Sequence, residues 1–284
     1  MPKSEENNII NAVYNIILKK CYDTGDIYDK QNRAKSEGAA LETYIKDAFA
    51  GTFDFEKKEK EKKWSEVFSY CGGSNNPPDA ILKNGDAIEV KKIKSIGKLE
   101  LNSSYPIQKL KVDSDKITKK CKECEKWQEK DIIYAVGLVK EEQLINLIMV
   151  YGVDYCASEN NYLSIKNSIS DKIREIPNLN FVKTKELARI NGVDPSSATT
   201  LRVRNMWEID HPASYFNKVI DLNETDRKFQ LRVIINEDKW KSLGNKEILK
   251  EISVSGFEIK DIEINEPDNP KNKRKAKLIK FDSN

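Results

Sequence analysis

Two apolar runs flank an Asn-Gly pair in residues 77–92, Pro77-Pro78-Asp79-Ala80-Ile81-Leu82-Lys83-Asn84-Gly85-Asp86-Ala87-Ile88-Glu89-Val90-Lys91-Lys92, and this stretch constrains the fold more than any other. Asn-Gly between alternating apolar residues is a strong short-range signal for a β-hairpin. The length of the loop decides which side chains meet. A two-residue loop sets Asp79 against Val90 and turns it away from Glu89. A three-residue loop, Lys83-Asn84-Gly85 with Gly85 in the left-handed position, sets Asp79 against Glu89 with Lys91 next on the same face. That register also gathers Ala80, Leu82, Ile88 and Val90 on the other side, and the coherent apolar face favours it. A kink at Pro77-Pro78 is a second way to bring Asp79 round.

Two carboxylates and an ammonium on one face of a buried strand pair are costly unless something compensates them. A hard divalent cation does so directly. Mg²⁺ takes oxygen ligands and retains several waters, so Asp79 and Glu89 are the candidate metal ligands, with substrate phosphate filling another position. Lys91 is then placed to hydrogen-bond or deprotonate an attacking water and to offset charge building on phosphorus. The plainer alternative is a surface hairpin with ordinary salt bridges, which Lys92 and Lys94 allow.

Composition narrows the remaining chemistry. Of 284 residues, 49 are basic and 46 acidic, so the net charge of +3 neither demands nor excludes a nucleic-acid partner. The single histidine, His211, cannot supply a histidine-rich metal site, which leaves hydrolysis to carboxylates and lysine. Five cysteines, an odd number, favour reduced thiols and a cytoplasmic protein. Only Cys121 and Cys124 have metal-ligand spacing, and a zinc site would need two more ligands, such as Cys71 and Cys156. No leader-like segment and no membrane-length apolar run is expected.

Ile9, Ile10, Val13, Ile16 and Ile17 recur at helical spacing, as do Leu41, Tyr44, Ile45, Ala48 and Phe49 within a second helix over 32–50, where Glu42 lies beside the buried stripe. A polar loop around residues 23–29 separates them. Residues 55–63 read as a solvated helix face or loop tip, and 64–70 as a strand feeding Gly72-Gly73. Further strands are expected at 98–102, 131–139, 144–151, 228–235 and 257–264, with extended chain at 198–209. Helices are expected at 161–176, 183–190 and from Pro212 to about residue 219, with a turn near Trp240. The basic run 270–280 reads as a solvated tail, with a phosphate-tracking arm as the alternative. Residues 1–165 form the expected catalytic core and 166–284 a region for DNA recognition and dimerisation, unless the two are one continuous domain.

Pro78-Asp79 with Glu89-Val90-Lys91 resembles the PD-(D/E)xK signature of restriction-endonuclease-like enzymes. Residues 32–45 resemble the N-terminal helix of many type II restriction enzymes, in which an acid, here Glu42, often assists the metal site. The stretches 75–79, 87–93, 101–106, 127–137 and 201–207 are similar to the NgoPII-type family. The chain departs from the pattern at Ile107, where a basic residue is expected, and at Asn205, where glycine is usual. The resemblance implies an α/β restriction-endonuclease-like fold, with a mixed central β-sheet flanked by α-helices. It also implies a Mg²⁺-dependent type II enzyme cutting duplex DNA at GGCC as a homodimer, with a cognate DNA methyltransferase as functional partner but no stable complex.

Reading a G·C-rich site calls for arginines that reach guanine edges in the major groove. Arg202 and Arg204, with Trp207 nearby, are the candidates, set against a plain pair of surface arginines contacting acidic neighbours. Asn102, Ser103 and Ser104 follow the catalytic strand and are candidate DNA contacts, or else a capped turn before Pro106. Arg33 and Lys35 are candidate phosphate contacts, or else plain exposed helix charges, and Lys92 is a further candidate DNA contact. Two other functions are compatible with the same residues: a repair or junction nuclease without sequence preference, and a catalytically silent DNA-binding module.

Overall fold

The structure, a computed structural model, describes residues 7–19, 33–73, 76–101, 104–222 and 228–283, and of 33–37 the backbone only. Asn102, Ser103, Cys21, the side chains of Arg33 and Lys35 and the polar loop at 23–29 therefore lie outside the described residues.

The chain runs α1 (Ile9–Lys19), α2 (Arg33–Ala50), α3 (Lys57–Val67), β1 (Phe68–Cys71), β2 (Ala80–Leu82), β3 (Ala87–Ile93), β4 (Lys98–Leu101), β5 (Lys109–Lys111), α4 (Lys119–Lys122), β6 (Glu129–Lys140) and β7 (Gln143–Tyr151). It continues through α5 (Gly152–Tyr155), α6 (Glu159–Arg174), β8 (Asn180–Phe181), β9 (Ala188–Asn191), β10 (Thr200–Val203), β11 (Trp207–Asp210), α7 (Pro212–Tyr215), β12 (Phe229–Asn236), α8 (Glu237–Ser242), β13 (Phe257–Asn265) and β14 (Lys273–Ser283). The central sheet has the order β1-β2-β3-β6-β7-β12-β14-β13, with β5 added at β6. Its β3–β6 and β7–β12 pairs are parallel and its other pairs antiparallel, so the sheet is mixed. This is the restriction-endonuclease-like α/β fold expected above.

Strand periodicity sorts the core into two layers. Ile133 and Ala135 of β6, Leu147 and Met149 of β7, and Leu231 and Val233 of β12 face α1 and α2. Their neighbours Ile132, Tyr134, Val136, Ile148, Val150 and Ile234 face the other layer, which includes Leu99, Leu110, Tyr155 and Phe216. The stripes Ile9, Ile10, Val13, Ile16, Ile17 and Leu41, Tyr44, Ile45, Ala48, Phe49 are all buried, as helical spacing requires. No helix among the described residues is long and apolar enough to cross a membrane.

Three expectations are corrected. The segment 64–67 is the end of α3 and not a strand; the Glu59 carboxylate accepts the Glu56 amide at 3.4 Å, and the run of Glu and Lys carries the helix to Val67. The predicted helix over 183–190 is instead a loop and β9. Ala188 and Ile190 are buried at period two, opposite Val203 and Leu201 of β10, the next strand. The basic run 270–280 is neither tail nor arm: β14 pairs with both β12 and β13. Lysines are interspersed there with buried Ala276 and Leu278 of one core layer and Ile279 and Phe281 of the other, and Lys277 pairs with Asp261 and Arg274 with Asp154.

Candidate active site

The hairpin of residues 77–92 has the three-residue loop. Ala80 lies opposite Ile88 and Ile81 opposite Ala87, so the register brings Asp79 to Glu89. The Leu82 amide donates to the Asp86 carbonyl at 3.0 Å and the Gly85 amide to the Leu82 carbonyl at 2.9 Å. One detail differs: the left-handed residue is Asn84, at φ 54°, and not Gly85. Asparagine tolerates that conformation. Gly85 eases the packing instead, since a Cβ there would sit 3.0 Å from the Leu82 Cβ and press on it.

β2 begins at Ala80, so among the described residues no strand lies beside the edge of β3 beyond Ile88 on that side. Asp79 fills the gap. Its amide donates to the Ile88 carbonyl at 3.0 Å, and its Oδ2 accepts the Val90 amide at 2.7 Å. From the other side the Gly72 amide donates to the Asp79 carbonyl at 2.7 Å. Only glycine permits this approach, because a Cβ on residue 72 would meet the Pro78 carbonyl oxygen at 2.4 Å.

Lys91 lies on the same face as Glu89, with Nζ 2.6 Å from Glu89 Oε1. The other oxygen, Glu89 Oε2, is buried without a hydrogen-bond partner among the described residues. Tyr134 stands beside Glu89 in the parallel register, and its hydroxyl takes the Ile107 amide at 2.7 Å. Glu42 approaches from α2, half-buried.

Burial pushes the Asp79 carboxyl up to about 8, with the negative charge of Glu89 acting in the same direction and the Val90 amide against it. Glu42 is also raised, chiefly by burial, opposed by Lys46 and reinforced by Glu89. For Lys91 burial is the largest influence and pulls down, but Glu89, Asp79 and Glu42 together outweigh it and hold the ammonium above its ordinary range. The three acids and Lys91 therefore share one electrostatic field.

Such a cluster lacks positive charge. The orphaned Glu89 Oε2 beside Asp79 is an oxygen donor set suited to a hard cation that retains waters. Among the described residues no group of three or more His, Cys, Asp or Glu side chains is gathered closely enough to hold a metal alone. Two carboxylates with water and substrate phosphate fit Mg²⁺, which is seldom caged by protein ligands only. Cys121 and Cys156 are buried in the second core layer, and Cys71 is exposed.

The candidate DNA contacts occupy different settings. Ser104 is buried and donates to the Tyr105 carbonyl at 2.7 Å, as in a turn. Lys92 is half-buried on the face of β3 opposite Lys91. Trp207 pairs with Leu101 through β11 and β4, and its ring stands edge-on to Tyr105 and Tyr162. Arg202 and Arg204 are exposed, and both contact Glu186. Sequence reading missed Lys46, whose i, i+4 spacing from Glu42 on α2 was the available signal. It missed Gly72 as well, whose role is visible only in the approach of two backbones.

The NgoPII restriction endonuclease family model matches residues 7–265. The type II restriction enzyme NgoPII of Neisseria gonorrhoeae is 48% identical over 276 residues, covering 96% of this chain and 99% of that protein. No solved structure matches. With a carboxylate–carboxylate–lysine hairpin at an open strand edge and likeness over nearly its whole length, the chain belongs to the NgoPII restriction endonuclease family.

Proposed function

We propose that this protein is a Mg²⁺-dependent type II restriction endonuclease that cuts duplex DNA at GGCC inside the cell. In this reading it works as a homodimer, matched to the two-fold symmetry of the site, beside a methyltransferase that protects host DNA. The observation that carries the reading is the meeting of Asp79, Glu89 and Lys91 at the unpaired edge of β3.

Asp79 and Glu89 hold the cation, which when bound supplies Lewis-acid polarisation of the phosphate and a more acidic water. The Val90 amide fixes one oxygen of Asp79, so the carboxylate is oriented before substrate arrives. Lys91, protonated beside Glu89, donates hydrogen bonds to the attacking water or to the phosphate oxygens as negative charge builds there. Neutralising the nearby carboxylates leaves burial as the dominant influence on Lys91 and lowers its proton affinity, moving it towards proton acceptance. Glu42 serves as the third acid. Lys46, one helical turn on, tempers its charge. Arg202, Arg204, Trp207, Asn102, Ser103, Ser104, Lys92 and Arg33 are retained as candidate DNA contacts, with Ser104 supporting the turn and Trp207 the adjoining aromatic cluster.

Lys91→Ala is expected to abolish plasmid cleavage in magnesium while specific duplex binding remains measurable. Wild-type digestion should give discrete fragments whose ends map to GGCC. Full activity of the variant, or a smear from the wild type, would overturn the assignment.

A further inference from the structure

Residues 180–204 carry chemistry that the catalytic centre does not use. β9 and β10 form an antiparallel ribbon in which Arg189 lies opposite Arg202 and Asn191 opposite Thr200. Ala188 and Ile190 are buried, whereas Arg189, Thr200 and Arg202 are exposed. The Thr200 hydroxyl donates to Asn191 Oδ1 at 3.2 Å. One face of the ribbon therefore presents only polar groups.

Like charges directly opposite each other destabilise a strand pair, so Arg189 against Arg202 calls for an anion. Glu186 supplies one carboxylate. Arg202 donates from Nε at 3.0 Å to Oε2 and from Nη2 at 2.5 Å to Oε1, and Arg204 Nε lies 3.2 Å from the same Oε1. Arg189 also bears on it electrostatically. Three arginines against one acid leave a cationic excess on an exposed face. Exposed ion pairs add little stability, so folding alone gives no reason for that excess. The Nε–Nη2 edge that grips Glu186 presents the paired donors that can meet two acceptors of a guanine edge or a phosphate.

The ribbon is also tied to the catalytic strand. β10 leads through Arg204 into β11, which pairs with β4, and β4 follows the Lys91 strand after residues 94–97. We propose that the outward face of the β9–β10 ribbon is the base-reading element, which enters the major groove of duplex DNA. In this scheme Glu186 is its positioning residue, holding the Arg202 fork extended in the free protein and yielding it to a guanine edge in the complex. β8 pairs with the other edge of β9, so the element is a small three-stranded sheet with β10 at its edge, and sheet readers as well as two-stranded ribbons place strands in a DNA groove. The inference rests on the nuclease reading above and adds Arg189 and Glu186 to it.

The test measures dissociation constants against salt, with calcium replacing magnesium, for a GGCC duplex and the same duplex with the site scrambled. Glu186→Gln, which frees the arginines but releases their geometry, is expected to bind the scrambled duplex several-fold more tightly. Its preference for GGCC should fall by about tenfold. Arg202→Lys should lose the preference while binding the scrambled duplex as wild type does. Arg189→Gln should reduce the slope of log affinity against log salt by about 1. Arg202→Lys and Arg189→Gln should melt as wild type does, and Glu186→Gln, which leaves Arg189 facing Arg202 without its anion, should stay folded with at most a slightly lower melting temperature. A Glu186→Gln protein with unchanged preference, or an Arg202→Lys protein weakened equally on both duplexes, would overturn the inference. If wild type cuts at GGCC and the variants match it, the inference alone fails; if wild type neither binds nor cuts duplex DNA, the nuclease reading falls with it.

Discussion

Replacing Asp79 by Asn should destroy cleavage and stabilise the protein. The amide oxygen of Asn can still accept the Val90 N–H that Oδ2 takes at 2.7 Å, so the local geometry survives. What disappears is an ionisable group that burial and Glu89 push from 3.8 up to about 8. For a raised acid the sign is fixed. Folding of the wild type carries no penalty from this group below pH 3.8, and the penalty grows as pH rises towards 8, at about 1.4 kcal/mol per pH unit. At pH 7 it amounts to about 4 kcal/mol. Urea unfolding in EDTA should show the variant gaining about 3 kcal/mol on wild type between pH 5 and pH 7. Magnesium should stabilise wild type, by about 2.7 kcal/mol at one hundred times its dissociation constant, and leave the variant unmoved. If Asp79→Asn is less stable at both pH values, Asp79 is a structural ion-pair partner of Lys91 and the argument for a cation-hungry site fails.

Three further outcomes are expected. His211 is fully buried, its Nδ1 accepts the Ala213 amide, and burial lowers its proton affinity to about 4. Its contribution to stability is complete above pH 6.5 and is lost as pH falls through 4, so the only imidazole resonance of the chain should titrate near 4 by NMR and not near 6.5. Phe281→Ala should cost about 3–5 kcal/mol in urea unfolding, because β14 is an interior strand; a loss under about 1 kcal/mol would return residues 270–280 to the surface. Asn84→Val, which forces a β-branched residue to φ 54°, should cost about 1–2 kcal/mol while Asn84→Gly costs little.

The hairpin was legible because its determinants are local: the Asn-Gly pair, period-two alternation and the parity that sets Asp79 on the face of Glu89 and Lys91. The long apolar strands β6 and β7 were legible for the same reason. β14 was not, because eye and composition weigh its lysines together, although Ala276, Leu278, Ile279 and Phe281 stand among them and find partners on β12 and β13. The stretch 183–190 failed for want of its partner: Ala188 and Ile190 become strand residues only when Val203 and Leu201 arrive from β10. Within the site, Gly72 was invisible because its function is an approach of backbones. Glu186 was invisible because it meets Arg202 across sixteen residues of chain.

The Pro77-Pro78 pair connects these levels. Two consecutive prolines remove two backbone donors, so β2 cannot continue towards its N-terminus as a paired strand, and pairing stops at Ala80. The Val90 amide on β3 is then left without a strand partner, and an unpaired amide at a half-buried position is costly. Asp79, the first residue after the prolines, satisfies it with a carboxylate rather than a carbonyl. The same interruption that breaks the ladder thus turns a backbone requirement into a fixed, partly desolvated acid. It sits opposite Glu89, within reach of Lys91, at an edge of β3 that no strand covers among the described residues. The Pro-Asp dipeptide and the Glu-x-Lys strand are in this sense one device: the prolines open the edge, the aspartate closes its hydrogen bond, and under the proposed function the remaining oxygens are the ones that would take a cation.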